Sequence, residues 1–173
     1  MDKEKFWQIV SESRTGDDSG DPYDNMDDQI EKLTKLLSDL PPEEVVDFDR
    51  IFAELMIKAY TWDLWGAAYI IEEGCSDDGF MDFRGWLISM GREVYEKALA
   101  DPESLAVLAN DTTIEDFSFE EFQYVASEVH GKDIEDIEGI IEHPSEPAGT
   151  PFEEDSDYLK RRFPKLWNEF GDK

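Results

Sequence analysis

From Trp62 to Glu73 the chain carries Leu64, Trp65, Ala67, Ala68, Tyr69, Ile70 and Ile71, apolar nearly all round a helix. Such a helix has no side to give to water, so the fold must enclose it. Thr61 is placed to cap its start, and Gly74 to close its end in the left-handed conformation that glycine adopts most cheaply.

The elements that could do the enclosing are helical too. Lys3 to Ser13 aligns Phe6, Ile9 and Val10 on one face with Trp7 beside them, and Met26 to Leu40 carries Ile30, Leu33, Leu36, Leu37 and Leu40 at helical spacing. Pro41-Pro42 stops that helix, and Pro42 starts the next, with Glu43 and Glu44 in its first turn where the helix dipole favours acids. Its apolar face runs from Val45 to Ala59 and ends near Tyr60. After a short turn a fifth helix holds Phe80, Phe83, Trp86, Leu87 and Met90, is kinked at Gly91, and resumes through Val94, Tyr95, Ala98 and Leu99. Asp101-Pro102 caps and starts another short helix to Ala109, where the core looks complete. Ser118 with Glu121 reads as a capping box opening a helix through Phe122, Val125 and Val129, with Gly131 past its end. Seven or more helices follow, and no alternating run is long enough to demand a sheet. The expected fold is therefore all-α, a compact multi-helix single domain of 173 residues with an acidic C-terminal annex.

Charge narrows the function. Sixteen basic against 44 acidic residues leave a net charge of −28, so nucleic acid is excluded as a partner, because phosphate binding needs a Lys/Arg stripe that this chain lacks. A basic protein or a cationic ligand is what such a field concentrates, although high negative charge also serves solubility alone. No apolar run reaches the roughly 20 residues needed to span a bilayer, and residues 1 to 15 lack the apolar core of a signal peptide; the expectation is a cytoplasmic protein with no membrane partner. Cys75 is the lone cysteine and there are two histidines, which excludes an internal disulfide and the usual four-ligand zinc site; no metal and no cofactor are expected. Gly16 to Asp28 holds six aspartates and reads as a solvated loop. Its window from Asp17 to Asp28 imitates a calcium loop, yet it lacks glycine at the sixth position and has Asp in place of Glu at the twelfth.

Acidity is concentrated late. Asp111 to Asp157 contains sixteen acids against one base, Lys132, and residues 131–157 read as an acidic connector broken by the prolines of His143 to Pro151. Residues 158–173 reverse the sign with Lys160, Arg161, Arg162 and Lys165, interleaved with Tyr158, Leu159, Phe163, Leu166, Trp167 and Phe170. That much apolar surface is more than a solvated tail tolerates, so Tyr158 to Phe170 is expected to dock on the body, divided by Pro164 into two turns.

One turn gathers polar chemistry between two apolar helices: Cys75, Ser76, Asp77 and Asp78, followed by Asp82 and Arg84. Together with the rings of Trp62 and Trp65 these residues are the candidate pocket, with helix-start N–H groups, carboxylates for a cation or for acid–base work, and an arginine for an anion. The plainer reading is structural. Ser76 or Asp77 caps the helix, Asp78 and Asp82 favour its dipole, Arg84 pairs with a carboxylate to join two helices, and Cys75 is a small buried thiol with no basic partner nearby in sequence.

The words Ala59-Tyr60-Thr61-Trp62-Asp63-Leu64-Trp65-Gly66-Ala67-Ala68-Tyr69-Ile70-Ile71, then Gly74 to Phe80, and Asp82-Phe83-Arg84-Gly85-Trp86-Leu87-Ile88 resemble the bacterial DUF4240 family. With the opening Phe6-Trp7 helix and the continuation Gly91-Arg92-Glu93-Val94-Tyr95 to Asp101-Pro102-Glu103-Ser104-Leu105, the resemblance covers roughly residues 4 to 130. It implies a helical bacterial domain of unknown function and brings no catalytic residues with it. Two readings of function stand. One is a non-enzymatic interaction domain that binds a basic protein partner, in the manner of an inhibitor or immunity-type protein. The other is a small enzyme or ligand-binding domain with its pocket at residues 75–84. They part on Arg84: pointing into a cleft it favours the pocket, and closed into a helix junction it opposes it.

Overall fold

A computed structural model describes residues 1–14, 22–114, 116–132, 137 and 142–171, with residues 22–25 described by their backbone alone. The chain is all-α: among the described residues there is no strand, only one isolated parallel bridge between Thr61 and Ala148. Helix α1 spans Lys3–Ser13, α2 Pro22–Ser38, α3 Pro42–Lys58, α4 Trp62–Ile71, α5 Asp77–Ser89, α6 Arg92–Ala100, α7 Val125–His130, α8 Ser156–Arg162 and α9 Pro164–Phe170. Two 3-10 segments, Pro102–Asn110 and Glu121–Gln123, complete the order. None of these helices is long and apolar enough to cross a membrane.

Local chemistry sets most of the boundaries. The Asp2 carboxylate accepts from the Lys5 amide at 2.9 Å and caps α1, the Thr61 hydroxyl accepts from Leu64 at 3.2 Å and caps α4, and Ser76 accepts from Gly79 at 3.1 Å and caps α5. Pro42 occupies the first turn of α3, as its fixed φ favours. Four boundaries differ from expectation. Helix α2 begins at Pro22, so the latter part of the Gly16 to Asp28 stretch is helical where a loop was expected; residues 15–21 lie outside the described ones. Gly91, with φ +91°, is a full break between α5 and α6 and not a kink. The capping box at Ser118 does not form: the Ser118 amide donates to Asp116 at 3.0 Å, and helix proper begins only at Val125. At the end of α4 the left-handed residue is Glu73, φ +55°, with Gly74 beyond it at φ +126°.

That last arrangement is a Schellman closure, in which Gly74 donates to the Tyr69 carbonyl at 2.8 Å and Glu73 to Ile70 at 3.5 Å. It places an ordinary side chain where glycine is favoured. Glu73→Gly is therefore expected to stabilise the fold by about 1 kcal/mol, while Gly74→Ala destabilises it by a similar amount. Urea midpoints of the two variants check this, and a shift in the same direction for both would contradict it.

Helix α4 lies in the middle. Leu64, Ala67, Ala68, Ile70 and Ile71 are buried on it, and it touches α5, α9 and the Pro102–Asn110 segment. One continuous core extends outward from there, with Phe6 and Val10 of α1, Leu33 and Leu37 of α2, Phe48 and Leu55 of α3, and Phe80, Phe83, Trp86 and Leu87 of α5. Each such side chain withdrawn from water is worth roughly 1.5–3 kcal/mol. The core does not end at Ala109, as the sequence suggested: Phe119, Phe122, Val125 and Ala126 are buried, α7 packs on α2 and α3, and Leu159, Phe163 and Leu166 of the C-terminal helices are buried too. Pro164 divides that last segment, and the Glu103 carboxylate accepts from the Lys165 amide at 2.6 Å to tie the start of α9 to the Pro102–Asn110 segment.

Candidate functional site

The α4–α5 turn places the expected residues together but faces them different ways. Asp77 and Asp78 are exposed in the first turn of α5, where they meet the positive end of the helix dipole, and Ser76 serves as its cap. Trp62, Trp65 and Phe80 form a continuous stack, with Trp62 and Trp65 centroids 5.2 Å apart and 6° from parallel, and Trp65 and Phe80 5.0 Å apart at 11°. The Trp65 indole donates to the Cys75 carbonyl at 3.0 Å, which locks the turn to the ring stack. Asp82 accepts from the Gln123 amide at 2.8 Å and so joins α5 to the Glu121–Gln123 segment.

Arg84 is closed into a junction. It is 3% exposed and donates to the Met56 carbonyl at 2.8 Å, to the Phe80 carbonyl at 3.3 Å, and to Nε2 of His143 at 3.2 Å. The guanidinium lies 4.6 Å from the Tyr60 ring centroid and 5.0 Å from that of Phe80. Burial pulls its pKa down to about 10, against the charges of Tyr60, Asp77 and Tyr95, which raise it. The expected carboxylate partner is absent among the described residues; carbonyls, rings and one imidazole replace it. Because an arginine only donates, the Nε2 that faces it must be an acceptor, and the Nδ1–H of His143 donates to the Pro144 carbonyl at 2.8 Å.

Cys75 and Glu72 meet beside Gly79, where a β-carbon would lie 3.6 Å from the Cys75 sulfur and 3.8 Å from a Glu72 carboxylate oxygen. Burial, and then Glu72, push the Cys75 thiol far up, so it is no nucleophile at neutral pH. Glu72 itself is pushed up to about 7 by burial and by Asp116 and Asp82, against a hydrogen bond to Cys75 that lowers it. Asp82 is raised by burial and by Asp78, Glu121 and Asp116. A carboxyl whose folded pKa exceeds its unfolded one stabilises the fold while protonated and loses that contribution as pH rises. For Glu72 the loss runs from about 4.5 to about 7. Glu72→Gln should accordingly stabilise the protein at alkaline pH, by an amount on the order of 1 kcal/mol given its partial hydration, and be neutral in acid. Thermal melts across that range test it, and a gain independent of pH would contradict the assignment.

Three surface hollows lie elsewhere. One of about 610 Å³ is lined by Asp2, Lys5, Trp7 and Arg92, its neighbour of about 510 Å³ by Arg14 and Met90 among others, and a third of about 510 Å³ by Val107, Pro164 and Asn168. None of the three reaches the turn. Among the described residues no group of three or more His, Cys, Asp or Glu side chains is arranged to hold a metal ion.

Sequence reasoning missed the participants that come from afar. Tyr60, Phe80 and His143 surround Arg84, and Phe152 covers Trp62 and Tyr69 with centroids 6.1 and 5.4 Å away. His130 pairs with Asp49 at 2.8 Å, both side chains buried. No local pattern announces a contact between residues 59 or 81 positions apart.

Comparisons with curated proteins and with solved structures found no match. The model of a family described as a protein of unknown function, DUF4240, matches residues 1–132, which contain α1 to α7 and every residue of the α4–α5 turn. The chain belongs to the DUF4240 family, with α8, α9 and the segment that leads to them beyond the matched part.

Proposed function

We propose that this chain is a non-catalytic interaction domain whose acidic surface receives a basic protein partner. The observation that carries the reading is the closure of Arg84: the one cation of the α4–α5 turn is engaged by main-chain carbonyls and rings, while Asp77 and Asp78 face solvent. Glu72 is held above its ordinary value by burial and then by Asp116 and Asp82, and Asp82 by burial and then by Asp78, Glu121 and Asp116. A cation brought to that surface by a partner relieves the repulsion, so steering and docking act in the same direction. A cytoplasmic location with Cys75 kept reduced belongs to the same reading.

The test is a binding measurement at low and high salt with basic partner proteins, on the wild type and on Asp77→Asn/Asp78→Asn. The reading requires binding that salt weakens and that the double variant reduces. Failure to recover any partner that is lost at high salt rejects it.

The second reading, a small enzyme or ligand-binding domain, has one observation in its favour: a carboxyl at Glu72 with a pKa of about 7 suits acid–base work. A saturable ligand whose affinity follows the protonation of Glu72, and is lost in Glu72→Gln, would decide for it.

A further inference from the structure

Residues 142–152 cross the α3–α4 junction as a strap that bends at residues 145, 146 and 149. The Trp62 amide donates to the Ala148 carbonyl and the Ala148 amide to the Tyr60 carbonyl, both at 2.9 Å, so the strap is paired to the core by its main chain. His143 lies against Tyr60, centroids 4.6 Å apart, and accepts from Arg84. Phe152 covers Trp62 and Tyr69 and meets Gly66, where a β-carbon would lie 3.4 Å from its ring. Most of the strap is otherwise exposed, and its anchors are few.

Tyr60, Trp62, Tyr69 and Arg84, on which the strap rests, belong to the family-matched part, whereas the strap lies outside it, as does Phe163, which packs on Gly66 beside Phe152. Beneath the strap are the Trp62 N–H and Tyr60 C=O, which pair with Ala148, a buried guanidinium that has the His143 imidazole as one of its acceptors, and the ring faces of Trp62 and Tyr69. That combination recognises an extended peptide by main-chain pairing, with side chains read at alternate positions. The strap is a poor match in one respect. It brings Glu142 and Glu146, with Glu153 and Glu154 directly after it, to a body that is already strongly acidic.

We infer that this face is a docking site for an extended, basic-flanked segment of a partner protein, and that residues 142–152 are its intrachain occupant, displaced when the partner binds. The inference rests on the reading of the chain as a receiver of a basic partner, and it names where that partner sits. The partner segment offers an acceptor to Arg84, an aromatic ring to Trp62 and Tyr69 in place of Phe152, and Lys or Arg where residues 142–154 have glutamates.

The probes are two synthetic peptides, residues 142–154 as they stand and the same peptide with Glu146→Lys, Glu153→Lys and Glu154→Lys. Each is titrated by fluorescence anisotropy against the full-length protein and against full-length His143→Ala/Phe152→Ala, whose substituted positions both lie outside the family-matched part. The lysine-bearing peptide should bind the double variant at least about tenfold more tightly than wild type, where the tethered strap competes at high effective concentration. It should also bind more tightly than the native peptide and restore hydrogen-exchange protection to the Trp62 amide. Equal, salt-sensitive affinity for wild type and variant would overturn this docking site while leaving the broader reading of an acidic receiver intact. No binding to the variant overturns it as well. Should the double variant not fold, Ala148→Pro, which removes the donor to Tyr60, fixes φ at that position and restricts Pro147 before it, gives the same comparison.

Discussion

Phe163→Ala should cost about 3–5 kcal/mol of folding stability and expose apolar surface to a dye such as ANS. Phe163 stands between α8 and α9 and is buried to 3% exposure. Its ring lies so close to Gly66 that a β-carbon there would sit 2.8 Å from it, nearer than two carbons can approach. The central helix thus has a notch, and the C-terminal segment fills it. Leu166, fully buried, and Phe170, whose ring meets Phe117 at 5.6 Å, continue the contact. The charges add orientation: Arg162 pairs with Asp63 and holds the Tyr158 hydroxyl at 3.0 Å, but such exposed pairs are worth only about 0–1 kcal/mol each. Gly66→Ala should cost about 1–3 kcal/mol by overpacking, and less than that when Phe163 is already alanine, because the two changes act on one contact. Denaturant melts of the single and double variants measure the coupling. A loss below about 1 kcal/mol for Phe163→Ala, with no dye binding, would mean that the last two helices rest on the body without holding it.

Much of this fold was legible because its signals are local. The caps at Thr61 and Ser76, the Pro41-Pro42 boundary, the all-round apolar character of α4 and the division at Pro164 each depend on residues within one turn of each other. Where the reading failed, the cause was local at the end of α4 and distant at Ser118. Glu73 takes the left-handed position because the Tyr69 and Ile70 carbonyls are reached from there, and glycine comes one residue too late to take it. Ser118 has the spacing of a capping box, yet the Phe119 amide donates to the Asp82 carbonyl, and the neighbouring backbone is drawn onto α5 instead of into a helix. The candidate turn was found from its polar cluster, but the role of Arg84 was not, since its partners come from α3, from the Tyr60 ring and from a proline-rich segment without periodicity.

The second large effect concerns a pair that no sequence pattern marks. His130→Ala should destabilise the fold by about 3–5 kcal/mol at neutral pH, the cost of leaving a buried charge without its partner. Asp49 on α3 is 2% exposed, and its carboxylate faces Nε2 of His130 at the end of α7. The Lys132 amide donates to Nδ1 of the same ring at 3.1 Å, so the proton sits on Nε2 and is given to Asp49. Burial holds the Asp49 carboxyl above its ordinary value, and the hydrogen bond from His130 works against that rise. Removing the ring removes the opposing influence, so in the variant Asp49 holds its proton to still higher pH. A raised carboxyl contributes stability while it is protonated, and that contribution disappears as pH rises through the folded pKa. The penalty of His130→Ala is therefore expected to be small at about pH 4.5 and to grow towards about pH 7.5. Asp49→Asn keeps an acceptor for the imidazole and carries no charge, so on its own it should cost less than His130→Ala, and in the double variant it should recover most of the loss. Urea unfolding of the three variants at both pH values decides the matter: a penalty for His130→Ala that is the same in acid and at neutrality would show that the ring acts by filling space and not by partnering the carboxylate.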